Sequence, residues 1–173
     1  MAWAALSGGI PCESSPVSVL AAKQSSLSLT EMTEYVLPPH ANVFGTVFGG
    51  QIMAWVDLCA AICAQRHAAK PCVTLFVDDL LFRRPVRVGQ VVRLRAQILA
   101  TFRTSMEIEV VVTGEDTLTG EQWPTVDCLV TMVALGDDRR PTPVPPLLLE
   151  SDAQKEAHAL AEARRRTRIA KNG

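Results

Sequence analysis

From Gln51 to Gln65 the chain reads Q-I-M-A-W-V-D-L-C-A-A-I-C-A-Q, a helical run that is apolar almost all round and holds one acid, Asp57. A helix without a broad polar face has to be surrounded. The run therefore predicts one central helix, about 50–66, buried on most sides by the rest of the fold. A carboxylate in that setting needs a partner, a cavity or a chemical role, because leaving water penalises its charged form. The preceding residues, from Pro38 through Asn42 and Gly45 to Gly49-Gly50, read as loop. Two glycines at a helix start leave backbone N–H groups open to a closely approaching ligand, where the helix dipole favours negative charge. An acid beside an anion-stabilising helix start is the framework of a hydrolytic site.

Each part also has a plainer reading. Asp57 can reach solvent or cap a neighbouring segment, and a Gly-Gly pair alone is usually a tight turn. The block is not a phosphate-binding loop, because no Lys follows the glycines. Nor is it a dinucleotide fingerprint, which needs a strand directly before the glycines and a βαβ context after them. The weight lies in the combination of Asn42, Gly49-Gly50 and Asp57 at short spacing on one loop-to-helix junction.

Around the helix the pattern changes to alternation. Residues 31–37 read as a short strand and 72–82 as a β-rich run. In 91–99, Val92, Leu94, Ala96 and Ile98 alternate with Arg93, Arg95 and Gln97. Residues 106–112 and 125–134 show the same period of two. Turns at 85–89, 103–104 and 114–120 are short, and short connections imply antiparallel neighbours. The order is thus strand, buried helix, then four strands: an α+β fold with an antiparallel sheet wrapped around one long helix. The strand 73–82 is the expected free edge, and such an edge favours pairing with a second chain. Pro141–Pro146 is read as the end of the domain. A charged, helical C-terminal tail over 146–173 follows, and its Arg164-Arg165-Arg166-Thr-Arg168 run reads as a solvated helix end.

At 173 residues with 48% hydrophobic content, one domain over 31–145 has ample material for a core. Seventeen basic against eighteen acidic residues argue against a nucleic-acid surface. No stretch approaches the roughly 20 apolar residues of a membrane span. Residues 1–30 lack the features of a secretory or mitochondrial signal, so they read as a disordered leader on a cytoplasmic protein. Five cysteines, Cys12, Cys59, Cys63, Cys72 and Cys128, are odd in number and fit reduced thiols. Cys59, Cys63 and His67 share a helix face, but a metal would need a fourth ligand from elsewhere. Ala-rich surroundings suit small buried thiols better, and a Cys63–His67 nucleophile pair is equally disfavoured. No metal and no cofactor are expected.

The pattern H-A-N-x-x-G-x-V-F-G-G-x-x-M-x-W-x-D at 40–57, V-T-x-x-V-D-D at 73–79, V-G-Q-V-V at 88–92 and T-S-M-E-I at 104–108 resembles the hotdog-fold acyl-CoA thioester hydrolases. The resemblance covers roughly 31–145 and extends into the Arg-rich tail. It implies the hotdog fold, an acyl-CoA substrate that carries its own coenzyme A, and a site built between two paired units. In this family the Asp at the Asp57 position is the general base on water. The Asn at the Asn42 position positions water and thioester across the interface. The resemblance also places backbone donors at Gly49-Gly50, with Gly50 facing the thioester oxygen. Leu75, Phe76, Val77, Thr104, Ser105 and Met106 then line the coenzyme A channel. One departure is His40, where many relatives carry Asp. With one hotdog unit in this chain, the second half of the site is expected from another copy, in a dimer or a trimer of dimers. The alternatives are a hotdog acyl-thioester hydratase, with His40 as its only histidine near the glycines, and a non-catalytic acyl-CoA binding module.

Overall fold

The computed structural model describes residues 20–172. Among these residues, seven strands and two α-helices follow in chain order. They are β1 (Lys23–Gln24), β2 (Thr30–Tyr35), α1 (Gly49–Ala68), β3 (Cys72–Phe82), β4 (Val91–Thr101), β5 (Ser105–Asp116), β6 (Glu121–Ala134), β7 (Leu147–Leu148) and α2 (Asp152–Asn172). Five strands form one antiparallel sheet in the order β2-β4-β5-β6-β3, and β1 pairs with β7 in a small parallel ribbon.

The alternation read in the sequence sets the inner face of this sheet. Leu94 and Ile98 of β4, Met106, Ile108 and Val110 of β5, and Val126, Val130 and Met132 of β6 are all buried against α1. From the helix side come Ile52, Trp55, Val56, Cys59, Ala60, Cys63 and Ala64. Small residues at 59, 60, 63 and 64 let the sheet close tightly on the helix. Truncating a fully buried side chain such as Ile108 costs roughly 2–5 kcal/mol, whereas half-exposed ion pairs such as Arg84–Glu121 contribute about 0–1 kcal/mol. The core decides stability. Helix α1 stops because Ala69 turns left-handed (φ 52°) and its N–H returns to Gln65 O at 2.8 Å, one residue before Lys70-Pro71.

Four expectations are corrected here. The turn at 85–89 does not make β3 and β4 neighbours, because the two strands sit towards opposite ends of the sheet. Residues 83–90 cross the sheet end instead, tied to the loop before α1 by Val47 N to Val86 O (2.8 Å) and Val88 N to Gly45 O (3.2 Å). The β5–β6 hairpin is longer than expected, with Gly114 inside the strand. The Trp123 ring occupies the space that a Cβ at Gly114 would fill.

The first nineteen residues of the expected leader, and Cys12 with them, lie outside the described residues. From Lys23 onward the leader is part of the fold, since β1 pairs with β7 and Ser25 and Ser28 are buried. The chain also does not detach after Pro146. Helix α2 returns over the outer face of the sheet with Ala161 fully buried, and it packs on β4.

Candidate active site

Helix α1 is not buried on most faces, contrary to the reading of its composition. Gly50, Met53, Ala54, Asp57 and Leu58 form an open stripe, with Met53 46% and Leu58 49% exposed. The spacing i, i+3, i+4, i+7, i+8 places them on one side of the helix. Beside the stripe runs β3, the edge strand, with Leu75, Phe76, Val77, Leu81 and Phe82 exposed. An apolar helix face continuous with an apolar sheet edge explains why the run looks fully apolar in sequence. The described residues cover only one of its sides.

Asp57 sits in the middle of this stripe. Thr74 of β3 donates its hydroxyl to Asp57 Oδ1, and the same Thr74 Oγ1 lies 3.2 Å from Met132 Sδ. A cavity of about 330 Å³ beside the acid is lined by Gly50, Met53, Ala54, Asp57, Val77 and Leu80, among others. Thr74 was not singled out in the sequence. It belongs to the V-T-x-x-V-D-D motif, where it stands directly before the apolar run Leu75-Phe76-Val77.

At the head of α1 no side chain caps the helix, and the first turn holds no acid. Phe48 O accepts from Gln51 N (2.9 Å) and Ile52 N (3.3 Å), which leaves the N–H groups of Gly49 and Gly50 without backbone partners among the described residues. The Phe48 ring lies where a Cβ at Gly50 would go, and the Phe82 ring would stand in tight contact, 3.3 Å, with a Cβ at Gly49.

The loop leading there is held by Asn42. Its Oδ1 accepts from Phe44 N (2.9 Å) and Thr46 N (3.3 Å), and its Nδ2 donates to Thr46 Oγ1 (3.0 Å). Asn42 thus works first as the clasp of the 42–46 turn, which presents the helix start. His40 Nδ1 accepts from Leu37 N at 3.2 Å, and its ring meets Trp55 edge-on with centroids 5.1 Å apart.

The residues assigned to the coenzyme A channel separate into three places. Leu75, Phe76, Thr104 and Ser105 line one groove of about 740 Å³ on the outer side of the sheet. Val77 faces the Asp57 cavity instead. Met106 is fully buried in the core, because the two-residue period turns it inward beside Ser105.

The cysteines are occupied elsewhere. Burial pushes the Cys59 thiol up to about 11 and those of Cys63 and Cys128 up to about 12, so all three stay protonated near neutrality. The thiols of Cys59 and Cys63 lie against the carbonyls of Thr30 and Ala96. His67, its pKa lowered by burial, is held between Ser28 Oγ (3.0 Å) and Pro145 O (3.1 Å).

The arginine run of α2 is not a free solvated end. Glu107 of β5 is fully buried on the outer face. It accepts from Arg164 Nε at 3.0 Å and Arg168 Nη2 at 2.9 Å, and Arg168 also pairs with Asp78. A buried carboxylate requires such partners. Glu107→Gln should weaken the docking of α2 by roughly 1.5–3 kcal/mol. Limited trypsin digestion should then cut within 164–168 at least about ten-fold faster, with the sheet intact by circular dichroism. Unchanged protection would mean that apolar contacts alone hold the helix.

A five-stranded antiparallel sheet wrapped around one helix is the arrangement of a hotdog protein. A family model described as the thioesterase superfamily matches residues 44–121. A solved apo-hexameric acyl-CoA thioesterase superposes with a TM-score of 0.83 at 35% identity, over 88% of this chain and 97% of that one. The acyl-CoA hydrolase of Staphylococcus aureus, solved with butyryl coenzyme A and coenzyme A, gives 0.78 at 31% identity over 87% and 92%. That enzyme has also been solved as Asp-to-Ala, Asn-to-Ala and Thr-to-Ala variants. The mouse acetyl-coenzyme A thioesterase is 35% identical over 138 residues, 80% of this chain. The chain belongs to the thioesterase superfamily. It spans about a quarter of the mouse protein's length. Among the described residues, no helix is long and apolar enough to cross a membrane.

Proposed function

We propose that this chain hydrolyses fatty acyl-CoA to the free acid and coenzyme A, with Asp57 as general base. The carrying observation is Asp57 itself: an acid on the open apolar face of α1, oriented by Thr74 and two helical turns from unpartnered N–H groups. A binding module has no use for a carboxylate held there. The three alanine variants of the S. aureus hydrolase replace an Asn, an Asp and a Thr separated by fifteen and seventeen residues, the same separations as Asn42, Asp57 and Thr74.

In the proposed reaction Asp57 takes a proton from water as the water oxygen bonds to the thioester carbonyl carbon. Negative charge moves to the carbonyl oxygen, where the N–H groups of Gly49 and Gly50 accept it as hydrogen-bond donors. The tetrahedral centre collapses, the C–S bond breaks, and the proton on Asp57 passes to the departing sulfur. The chemistry runs without metal or cofactor.

Gly50 and Asp57 are seven residues apart on one helix, about 10 Å along its axis. A two-fold pairing of open α1 faces brings the Asp57 of one chain towards the helix start of the other, with β3 edges joined into a continuous sheet. Dimers of this kind can stack further, and a relative has been solved as a hexamer.

The test is release of free thiol across an acyl-CoA series. Steady turnover is expected on at least part of the series; tight binding with no thiol released at any chain length would leave only the binding module. Thr74→Ala should lower kcat by roughly ten-fold, less than loss of the base, because the carboxylate remains but loses its orientation. Unchanged kcat would remove Thr74 from the site.

A further inference from the structure

We propose that Asp78 is a positioning residue for the hydrolytic site: gripped by Arg168 on the outer side of the sheet, it fixes the register of β3 that turns Thr74 towards Asp57. This rests on the hydrolase reading above and adds a residue on the side of the strand away from the acid.

The ladder between β3 and β6 shifts register twice, between Thr74 and Phe76 and again between Asp78 and Leu81. At each shift β3 carries one residue more than β6, as in a bulge. Between the shifts only Phe76, Val77 and Asp78 pair in step, opposite Thr131, Val130 and Leu129. A slip of one residue in so short a run would turn Val77 outward and bring the Asp78 carboxylate towards the apolar cavity beside Asp57. Backbone pairs form in either register, so the ladder alone does little to prevent it.

Helix α2 supplies what the ladder lacks. Arg168 pairs with Asp78, and its guanidinium lies 5.4 Å from the centroid of the Phe76 ring. The same group donates to Glu107 Oε2 at 2.9 Å, and Glu107 is fully buried on β5, the middle strand of the sheet. Arg168 is thereby tied to the centre of the sheet while it holds positions 76 and 78 of the edge strand from outside.

Residues two apart on a strand share a face, so the one between them points the other way. That residue is Val77, which lines the cavity with Asp57. Leu75 takes up the first bulge and faces the outer groove with Phe76. Thr74, just before the bulge, stays on the inner side with its hydroxyl on Asp57 Oδ1. Two bulges and one outer ion pair thus set which side chains of β3 meet the acid. A second chain on the free edge pairs with the register that β3 presents, so the same device operates in an assembled protein.

The experiment measures kcat and KM for wild type, Asp78→Ala, Asp78→Asn, Thr74→Ala and the double variant Asp78→Ala/Thr74→Ala. The substrates are an acyl-CoA and the same acyl group on N-acetylcysteamine, a short thiol. Asp78→Ala should lower kcat about five- to ten-fold on both substrates, with KM within about two-fold. Asp78→Asn, which keeps an oxygen for Arg168, should lose less. In the Thr74→Ala background the further loss should stay below about two-fold, because a hydroxyl already removed cannot be misplaced. Unchanged kcat, a loss confined to KM on acyl-CoA, or a full multiplication of the two losses would overturn the assignment. Amide hydrogen exchange on the same proteins reads the strand directly. Asp78→Ala should speed exchange across 74–81 about ten-fold or more and leave the middle of α1 unchanged. If the alanine variant does not fold, Asp78→Asn carries both measurements. Unchanged exchange over 74–81, or faster exchange throughout the sheet, refutes the proposal. If wild type releases no thiol, the hydrolase reading fails, and exchange still decides whether Asp78 fixes the register.

Discussion

Asp57→Asn lowers kcat for acyl-CoA hydrolysis by about 10²–10⁴-fold while acyl-CoA binding persists. The substitution keeps the volume of the side chain and an oxygen to accept the Thr74 hydroxyl, so the contact between α1 and β3 survives. Asp57 is exposed in the single chain and holds no part of the core. What disappears is the capacity to take a proton from water. The comparison needs single-turnover rates and separately measured binding. Turnover within about three-fold of wild type would place the base elsewhere.

Leu58→Glu breaks the assembly and takes the activity with it. Leu58 is 49% exposed on the same stripe as Asp57, one turn on from Ala54. If two such faces close on each other, the new carboxylates are buried without partners, which costs several kcal/mol and weakens association about 10³-fold or more. Light scattering should give two or six chains for wild type and one for the variant. Its kcat at micromolar concentration should fall at least as far as that of Asp57→Asn. A variant that remains assembled, or a fully active single chain, would remove the shared interface from the account.

The sequence carried the inner architecture well and the outer architecture poorly, for physical reasons. Alternation in 91–99 and 125–134 reports which side chains face the helix, because a strand with one buried face can hold only one register. It reports nothing about which strand lies beside which. The 83–90 connection is short enough for a hairpin, yet it carries the chain across the sheet end, held by backbone contacts that leave no mark on composition. The apolar surface of α1 was legible, but apolar character alone does not say whether the covering surface belongs to the same chain.

The candidate site divides in the same way. Gly49, Gly50 and Asp57 could be read from a loop-to-helix junction, since chemistry there needs those residue types at that spacing. Thr74 could not, because its contact with Asp57 joins residues seventeen apart through a strand edge. Met106 was misplaced because a three-residue motif on a strand alternates faces, and its middle residue, Ser105, shares the groove with Thr104 while Met106 turns into the core. The arginines of α2 read as solvated because Glu107, buried on a distant strand, gives no local sign of being their partner.

The central claim is a site shared between two chains, with Asp57 from one and the Asn42-clasped helix start from the other. Mixing Asp57→Asn with Asn42→Ala protein tests it most directly. Each is expected to be nearly inactive alone. After random subunit exchange, half of the dimers are mixed, and each mixed dimer holds one site with both halves intact. Activity should therefore return to about a quarter of the wild-type level per site. No recovery after exchange verified by mass would contradict the account, and would mean that each site is built within a single chain.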